Sequence, residues 1–530
     1  MRIAEEEPIV KPRAAIQQLG RMVRDDIRSG ELSVGAHSVG EMLAEQPEAL
    51  LLIVDLAASE GRKKRSDEGM YQAYSLMLGQ TLELLRQRSE AGQGYAGLVI
   101  EQVRAAIVGQ TSTGKLLPPA ALALVSAFTR SGIEVGDDVR SALDAAMIRS
   151  GGKAMPSSTE VLKNLATACA GDPFMIQSEF AEMTGAMPAE LQVTVLAELV
   201  HADETSLREA AIGWLLAEPV IAAPLAELLE AAAGRELVSA TSLTHLMLIR
   251  NWVSEDRRRG IDAIIKTARL KGSAPQKRPA IQVRELMVSD RDGAGAQSVF
   301  ASIKSGRKHA LVSILIKQGH GVREAWVAPS MSRAEVDDML AQVASELPHH
   351  ETTAEDVALL VSAALADGHA AGASPPFGLV QAVTLLGLPD VVPAVLSVHD
   401  LVASLLADVD PASTNTKALT RALRTSDQWL ATNPQFASWF ENGDDVIAAI
   451  KGRRKRGDRV EAIMDEVLEP KRSFWAWVFA WSALARRGDG VDAKWIDMAI
   501  TAREMASQRP LAEIPVARAI ALQTEAAALT

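Results

Sequence analysis

Two neighbouring stretches decide the fold: residues 188–200, PAELQVTVLAELV, and residues 206–216, SLREAAIGWLL. In the first, Leu191, Val195 and Leu199 recur every four residues, with Leu196 and Val200 beside them. That spacing draws one wide apolar stripe along a helix, and Pro188 stands where a first-turn proline is tolerated. In the second, Ser206 and Glu209 form the S-x-x-E pattern of a capping box, in which each side chain accepts a backbone N–H left free at a helix start. Leu207, Ala210, Ala211, Trp214 and Leu215 then supply a buried face. The same grammar predicts helices from Pro219 to about Ala233, from about Glu236 to Trp252 and from Ser254 to Leu270. No strand is expected between them.

The pairs recur at intervals of 31 and 35 residues, from Pro188 to Pro219 and from Pro219 to Ser254. This spacing resembles the HEAT-like and related α-solenoid repeats, over about residues 156–270, without a consensus repeated residue for residue. The resemblance implies helix pairs that each bury an apolar face on the next pair. A non-repetitive helical domain fits the same pattern.

Outward from this region, helices are expected at about 12–29, 38–60, 68–89, 95–108, 119–130, 136–149 and 157–170. Ser157 and Glu160 offer a second capping box. The 87 alanines favour helix and let axes approach closely. After Leu270 the pattern changes. KGSAPQKRPA (271–280) and SDRDGAGAQ (289–297) read as breaks. Between 298 and 327 β-branched residues dominate, and Val312, Ile314 and Ile316 alternate with Leu311, Ser313 and Leu315. Period two predicts an antiparallel meander, with strands near 298–304, 309–317 and 322–327; helix is the competing reading for 309–317. Ser332 and Glu335 box the start of a helix that would cover one face of this small sheet. Helices resume at about 353–371, 376–387, 391–407, 415–431, 443–451, 458–468, 472–487, 491–507 and 515–528.

The expected fold class is therefore mainly α: stacked helix pairs in a solenoid-like array, a small antiparallel β-meander near 297–328 and a C-terminal helical domain. Five regions follow: an N-terminal helical region (1–155), HEAT-like repeats (156–270), a linker with the meander and its covering helix (271–350), a further helical region (351–428) and an aromatic-rich C-terminal domain (429–530).

Composition narrows the function. The formal charge is −12 over 530 residues, which argues against a general nucleic-acid binder. One cysteine, Cys169, excludes an internal disulfide framework and suits a reducing compartment, so a cytoplasmic location is expected. Its place on the apolar side of a helix marks a small buried hydrophobe rather than a reactive thiol. The N-terminal MRIAEEEPIV lacks the basic and apolar regions of a signal peptide. The apolar run 474–485 is too short for a membrane span and reads as a buried helix.

The motifs that could carry chemistry are incomplete. GQTSTGK (109–115) fits the phosphate-cradling pattern G-x-x-x-x-G-K. Leu116 follows in place of the Mg²⁺-holding hydroxyl, and Pro118 and Pro119 crowd the helix that should come next, so a polar interhelical loop is the plainer reading. His37, His201, His245, His309, His320, His349, His350, His369 and His399 show no metal-ligand spacing, and His349-His350-Glu351 reads as a loop cluster. There is no G-x-S-x-G elbow. Basic clusters at 62–65 (RKKR), 257–259 (RRR) and 452–459 (GRRKRGDR) read as solvated faces, or as phosphate contacts if folding gathers them.

The aromatics carry more. Trp429, Trp439, Trp475, Trp477, Trp481 and Trp495, with Phe436, Phe440, Phe474 and Phe479, place ten of 21 aromatic residues within 67 positions. They predict a ring-packed C-terminal core, or a partner-binding patch. Trp477 and Trp481, four apart, share a helix face, and Trp475 points elsewhere. No catalytic, cofactor-binding or metal-ligating residue is assigned. The expected function is non-enzymatic binding of a protein partner. The alternative is a nucleotide- or nucleic-acid-binding protein that uses the GQTSTGK loop or the basic clusters. An enzyme whose groups meet only in the fold stays open.

Overall fold

Helix Glu68–Glu90 is the axis of the first of two units into which the chain divides, Met1–Ala202 and Asp203–Thr530. The computed structural model describes residues 12–30, 33–46, 48–149, 158–276, 281–388, 391–488 and 494–529. The N-terminal MRIAEEEPIV, Ser157 with its expected capping box, and Pro389 lie outside them. The two units are a coarser division than the five regions expected. Among the described residues the protein is 68% helical, with 25 helices and one five-stranded antiparallel sheet. None of these helices is long and apolar enough to cross a membrane.

In the first unit, Asp67 caps the central helix by accepting the Gly69 N–H at 3.0 Å. Tyr71, Tyr74, Leu78, Leu82 and Leu85 repeat at three- and four-residue spacing and are buried. Helices Pro12–Ser29, Val34–Ala44, Gly94–Ser112 and Pro118–Arg130 pack around this axis. Each buried side chain of this size contributes about 1.5–3 kcal/mol. The helix expected at 38–60 is two, Val34–Ala44 and Glu48–Gly61, because the residue before Pro47 is biased away from helical geometry. Helix Pro173–Thr184 was not anticipated; Asp172 caps it through the N–H groups of Phe174 and Met175. On helix Ala189–His201 the buried stripe centres on Leu196, Leu199 and Val200, and Leu191 is exposed.

The second unit opens with helix Thr205–Ala211, two residues earlier than a Ser206 cap requires. Ser206 is therefore inside the helix and makes no capping box, and Glu209 instead accepts the Ser239 hydroxyl at 2.6 Å. A tight turn, Ile212–Leu216, buries Trp214 and Leu215. Helices Pro219–Gly234, Ala240–Ile249 and Glu255–Leu270 follow.

The sheet has five strands: β1 (Ile281–Ser289), β2 (Ala296–Ser305), β3 (Lys308–Lys317), β4 (Gly321–Met331) and β5 (His349–Glu351), in the order β4-β3-β2-β1-β5. The meander is present as expected. β1 and β5 extend it, and His349-His350-Glu351 is edge strand rather than loop. Both faces are covered. Helix Arg333–Glu346, with the expected Ser332–Glu335 box, sets Val336 and Leu340 against Met287, Phe300 and Leu311. By alternation, Val312, Ile314 and Ile316 face the opposite side, where helices Ala354–Ala370, Gly378–Leu385 and Arg472–Arg487 pack on the sheet.

Two glycines let backbones touch there. A Cβ on Gly293 would stand 1.7 Å from the Ser438 carbonyl oxygen, and one on Gly488 would stand 1.7 Å from that of Glu351. The helix expected at 391–407 is shorter, Val398–Leu406: Pro393 and the Ser397 cap leave 391–397 extended. The region 415–431 splits into Thr416–Ser426 and Trp429–Thr432. The helix expected at 458–468 begins at Arg456 and widens into a π-helical turn, Ile463–Leu468.

Candidate functional site

SDRDGAGAQ is the turn from β1 to β2, and it carries Asp290 and Arg291, both buried, with Asp292 beside them. Asp292 shapes it by accepting the N–H groups of Ala294 (2.9 Å) and Ala296 (2.7 Å). Burial pushes the Asp292 carboxyl up, and those two hydrogen bonds partly offset the push. Asp290, 6% exposed, takes a forked pair from Arg486 Nε and Nη2, both at 2.8 Å, and a third bond from His350 Nε2 at 3.2 Å. Burial alone would raise its pKa; the bonds and charges of His350 and Arg486 outweigh that and hold it below the usual carboxylate value.

Arg291 is 2% exposed. Its guanidinium donates to two neutral amides: Nε and Nη2 to Gln297 Oε1 (3.3 and 3.2 Å) and Nη1 to Gln318 Oε1 (3.2 Å). It also lies over the Trp481 ring, 5.3 Å from the centroid. Burial brings its pKa down to about 9, so it remains charged at neutral pH. Its backbone is held by Ser482 Oγ at 3.2 Å and by Trp439 Nε1, which donates to its carbonyl at 3.0 Å.

The aromatic cluster packs on this junction. Phe436 and Trp439 stack at 3.8 Å, and Trp439 meets Phe479 at 5.2 Å and Trp475 at 6.2 Å. Trp475 lies off the Trp477–Trp481 face, as expected, packs on Phe474 and Phe479, and donates to Glu441 Oε1 at 2.8 Å. Lys471 occupies the other Glu441 oxygen at 2.7 Å. Trp429, Trp439, Trp475 and Trp481 are buried, so most of the rings form a core. Trp477 is half-buried and stacks on Trp481, with centroids 5.7 Å apart and planes 14° apart.

Beside that stacked pair is a pocket of about 290 Å³. Trp477 and Trp481 form one wall. Ala363, Ala366, Asp367 and Ala370, which share one face of helix Ala354–Ala370, form another. Gln318 and Gly319, from the β3–β4 turn, and Leu396, with its neighbours on the extended segment 391–397, close the rest. Val395 on the rim is 93% exposed. Asp367 Oδ2 accepts the Gly319 N–H at 3.0 Å, which ties helix to turn.

The other sequence candidates lie elsewhere. Gly109–Ser112 of GQTSTGK are the last turn of helix Gly94–Ser112, and Gly114 (φ +71°) ends it. The N–H groups of Thr113, Gly114, Lys115 and Leu116 all donate to carbonyls of that last turn, so helix closure, not a strand followed by a phosphate cradle, is what the motif encodes here. The basic cluster at 62–65 lies in the first unit and the other two in the second. Arg257 is committed to the carbonyls of Leu215 and Ala217, and Arg258 to that of Arg250. Arg453 pairs with Glu466, and Arg456 and Arg459 with Glu525. Cys169 is buried, and burial pushes its thiol up, which makes it less reactive. His245 is buried against Phe377, and burial lowers it to about 4. His369 bonds the Trp252 carbonyl, and His399 is exposed. Among the described residues, no group of three His, Cys, Asp or Glu is placed to hold a metal ion.

The fold and site define a mainly helical protein in which a small sheet is locked to a ring-packed helical end by a buried polar junction. Two family models match parts of the chain: one described as Y4lR second domain, over residues 188–272, and one described as Y4lR C-terminal helical domain, over residues 399–529. The chain is 28% identical over 464 residues to a protein of Sinorhizobium fredii (strain NBRC 101917 / NGR234) named "Uncharacterized protein y4lR". That alignment covers 84% of this chain and 87% of the relative. No solved structure matches the chain. Trp477 and Trp481 fall within the C-terminal match, whereas Gln318 and Asp367 fall outside both.

Proposed function

We propose that this chain is a non-enzymatic, cytoplasmic binding protein that receives a side chain of a protein partner in the Trp477–Trp481 pocket. The observation that carries the reading is the pocket itself: a stacked indole pair, one ring half-buried, beside a rim residue, Val395, that is 93% exposed. Tryptophan is favoured where binding energy concentrates, and an exposed aliphatic at such a rim is surface a partner can cover. The volume suits one large side chain. The helices before the sheet support a scaffold of the HEAT-like kind, since Pro219–Gly234 packs on both the turn Ile212–Leu216 and helix Glu255–Leu270. Affinity capture with the full chain and with Trp477→Ala tests this reading. A partner held by the native chain and lost by the variant is expected. A set of bound proteins that Trp477→Ala leaves unchanged refutes it.

A further inference from the structure

Resting on that reading, we propose that the pocket takes a guanidinium group: the anchoring side chain of the partner is an arginine. The hydrogen-bonding capacity of the pocket points to a donor. Gln318 is neutral and held at both ends, its Oε1 accepting from Arg291 and its Nε2 donating to the Phe474 carbonyl at 3.3 Å. Asp367 has given Oδ2 to the Gly319 N–H, and among the described residues no hydrogen bond occupies its Oδ1. The polar side chain left to meet a ligand is thus an acceptor with negative charge.

The aromatic wall narrows the donor further. A guanidinium is flat; it can lie on an indole face while its edge reaches a carboxylate, which a compact ammonium cannot do. The protein already uses this pairing on the inner side of the same stack, where Arg291 lies over Trp481. Arg291 itself repels an incoming cation, but it sits behind Gln318 and Trp481, whereas Asp367 lines the pocket. The nearer charge decides the sign of the interaction. Ala363, Ala366 and Ala370 leave room for the aliphatic stem of an arginine. The net charge of −12 draws basic partners toward the whole surface.

The test is a tryptophan-fluorescence titration of the full chain with N-acetyl-arginine amide, with the citrulline and lysine amides as matched probes. Citrulline keeps the shape and loses the charge. Saturable quenching by the arginine probe is expected, at least about tenfold tighter than by citrulline. Asp367→Asn, whose amide oxygen can still accept the Gly319 N–H, should abolish that preference. Ala370→Leu, which fills the pocket and leaves the Asp367 charge in place, should weaken the arginine probe by a similar factor. Equal affinity for arginine and citrulline, an arginine preference that survives Asp367→Asn, or no saturable quenching by arginine overturns the proposal. Partner capture separates the two claims. Capture that is lost in Trp477→Ala and retained in Asp367→Asn keeps the binding reading and removes the arginine.

Discussion

Replacing Arg486 by methionine removes one half of a buried ion pair in the second unit. Asp290 is 6% exposed and Arg486 13%, and two bonds of 2.8 Å join them. Removing one partner of a buried pair costs about 3–5 kcal/mol, because the other charge is left in a site that solvates it poorly. His350, at 3.2 Å, retains one hydrogen bond to Asp290 and should keep the loss near the lower end, about 3 kcal/mol. Asp290→Asn should cost about as much by stranding Arg486. The double variant should recover about 2 kcal/mol relative to the sum of the two, the sign of a direct coupling. Equilibrium urea unfolding followed by tryptophan fluorescence reads this cleanly, since all nine tryptophans lie in the second unit. Additive costs in the double variant, or a loss below about 1 kcal/mol for Arg486→Met, would refute the view that this pair locks the sheet to the helical end.

Other outcomes follow from the same structure. His245 is neutral in the fold, with a pKa lowered to about 4, so its contribution is whole above the unfolded value of about 6.5 and falls as pH drops toward 4. The decline should total about 3 kcal/mol, and His245→Gln should remove that slope from the pH dependence of urea midpoints. Asp290, held below its ordinary value, adds stability that is present above about pH 3.9 and is lost as pH falls through its lower folded value; Asp290→Asn should flatten that acid limb. Gly293→Ala puts a Cβ 1.7 Å from the Ser438 carbonyl oxygen and should lower the melting temperature of the tryptophan-bearing unit by several degrees. Within GQTSTGK the two glycines should respond with opposite sign. Exposed Gly109 is helical with open space around it, so alanine there should stabilise by about 0.5–1 kcal/mol, whereas Gly114→Ala, at φ +71°, should destabilise by about 1 kcal/mol. Hydrogen exchange at residues 113–116 distinguishes the two.

The helices could be read from the sequence because their apolar residues repeat at three and four, and the meander because Val312, Ile314 and Ile316 alternate. What escaped has local causes. β1 carries a bulge between Val283 and Glu285, which breaks its alternation, and β5 is only three residues long. The break after Ala44 and the extended stretch around Pro393 interrupt helices whose apolar pattern runs on. Ser206 and Glu209 have the right spacing for a cap, but the helix begins two residues sooner, with Glu204 at the cap position. The junction was illegible for another reason. Arg291 sits in a Gly- and Asp-rich stretch that reads as a turn, which it is, while its partners are 6, 27 and 191 residues away. Nothing in a local window announces such a set. Half of the pocket was visible: Trp477 and Trp481 share a face, as their spacing requires. The other half has its own signal in the sequence, for Ala363, Ala366 and Ala370 clear one helix face on which Asp367 is the polar group.

The most direct measurement is photo-crosslinking from position 395. A photoreactive amino acid in place of Val395, on the rim of the pocket, should trap one partner polypeptide in cells, and the adduct should disappear when Trp477→Ala is added. A site of comparable exposure in the same unit that does not line the pocket, Leu270 at 77%, should not trap it. Adducts that are the same from positions 395 and 270, or that persist in Trp477→Ala, would contradict a binding role for the Trp477–Trp481 pocket.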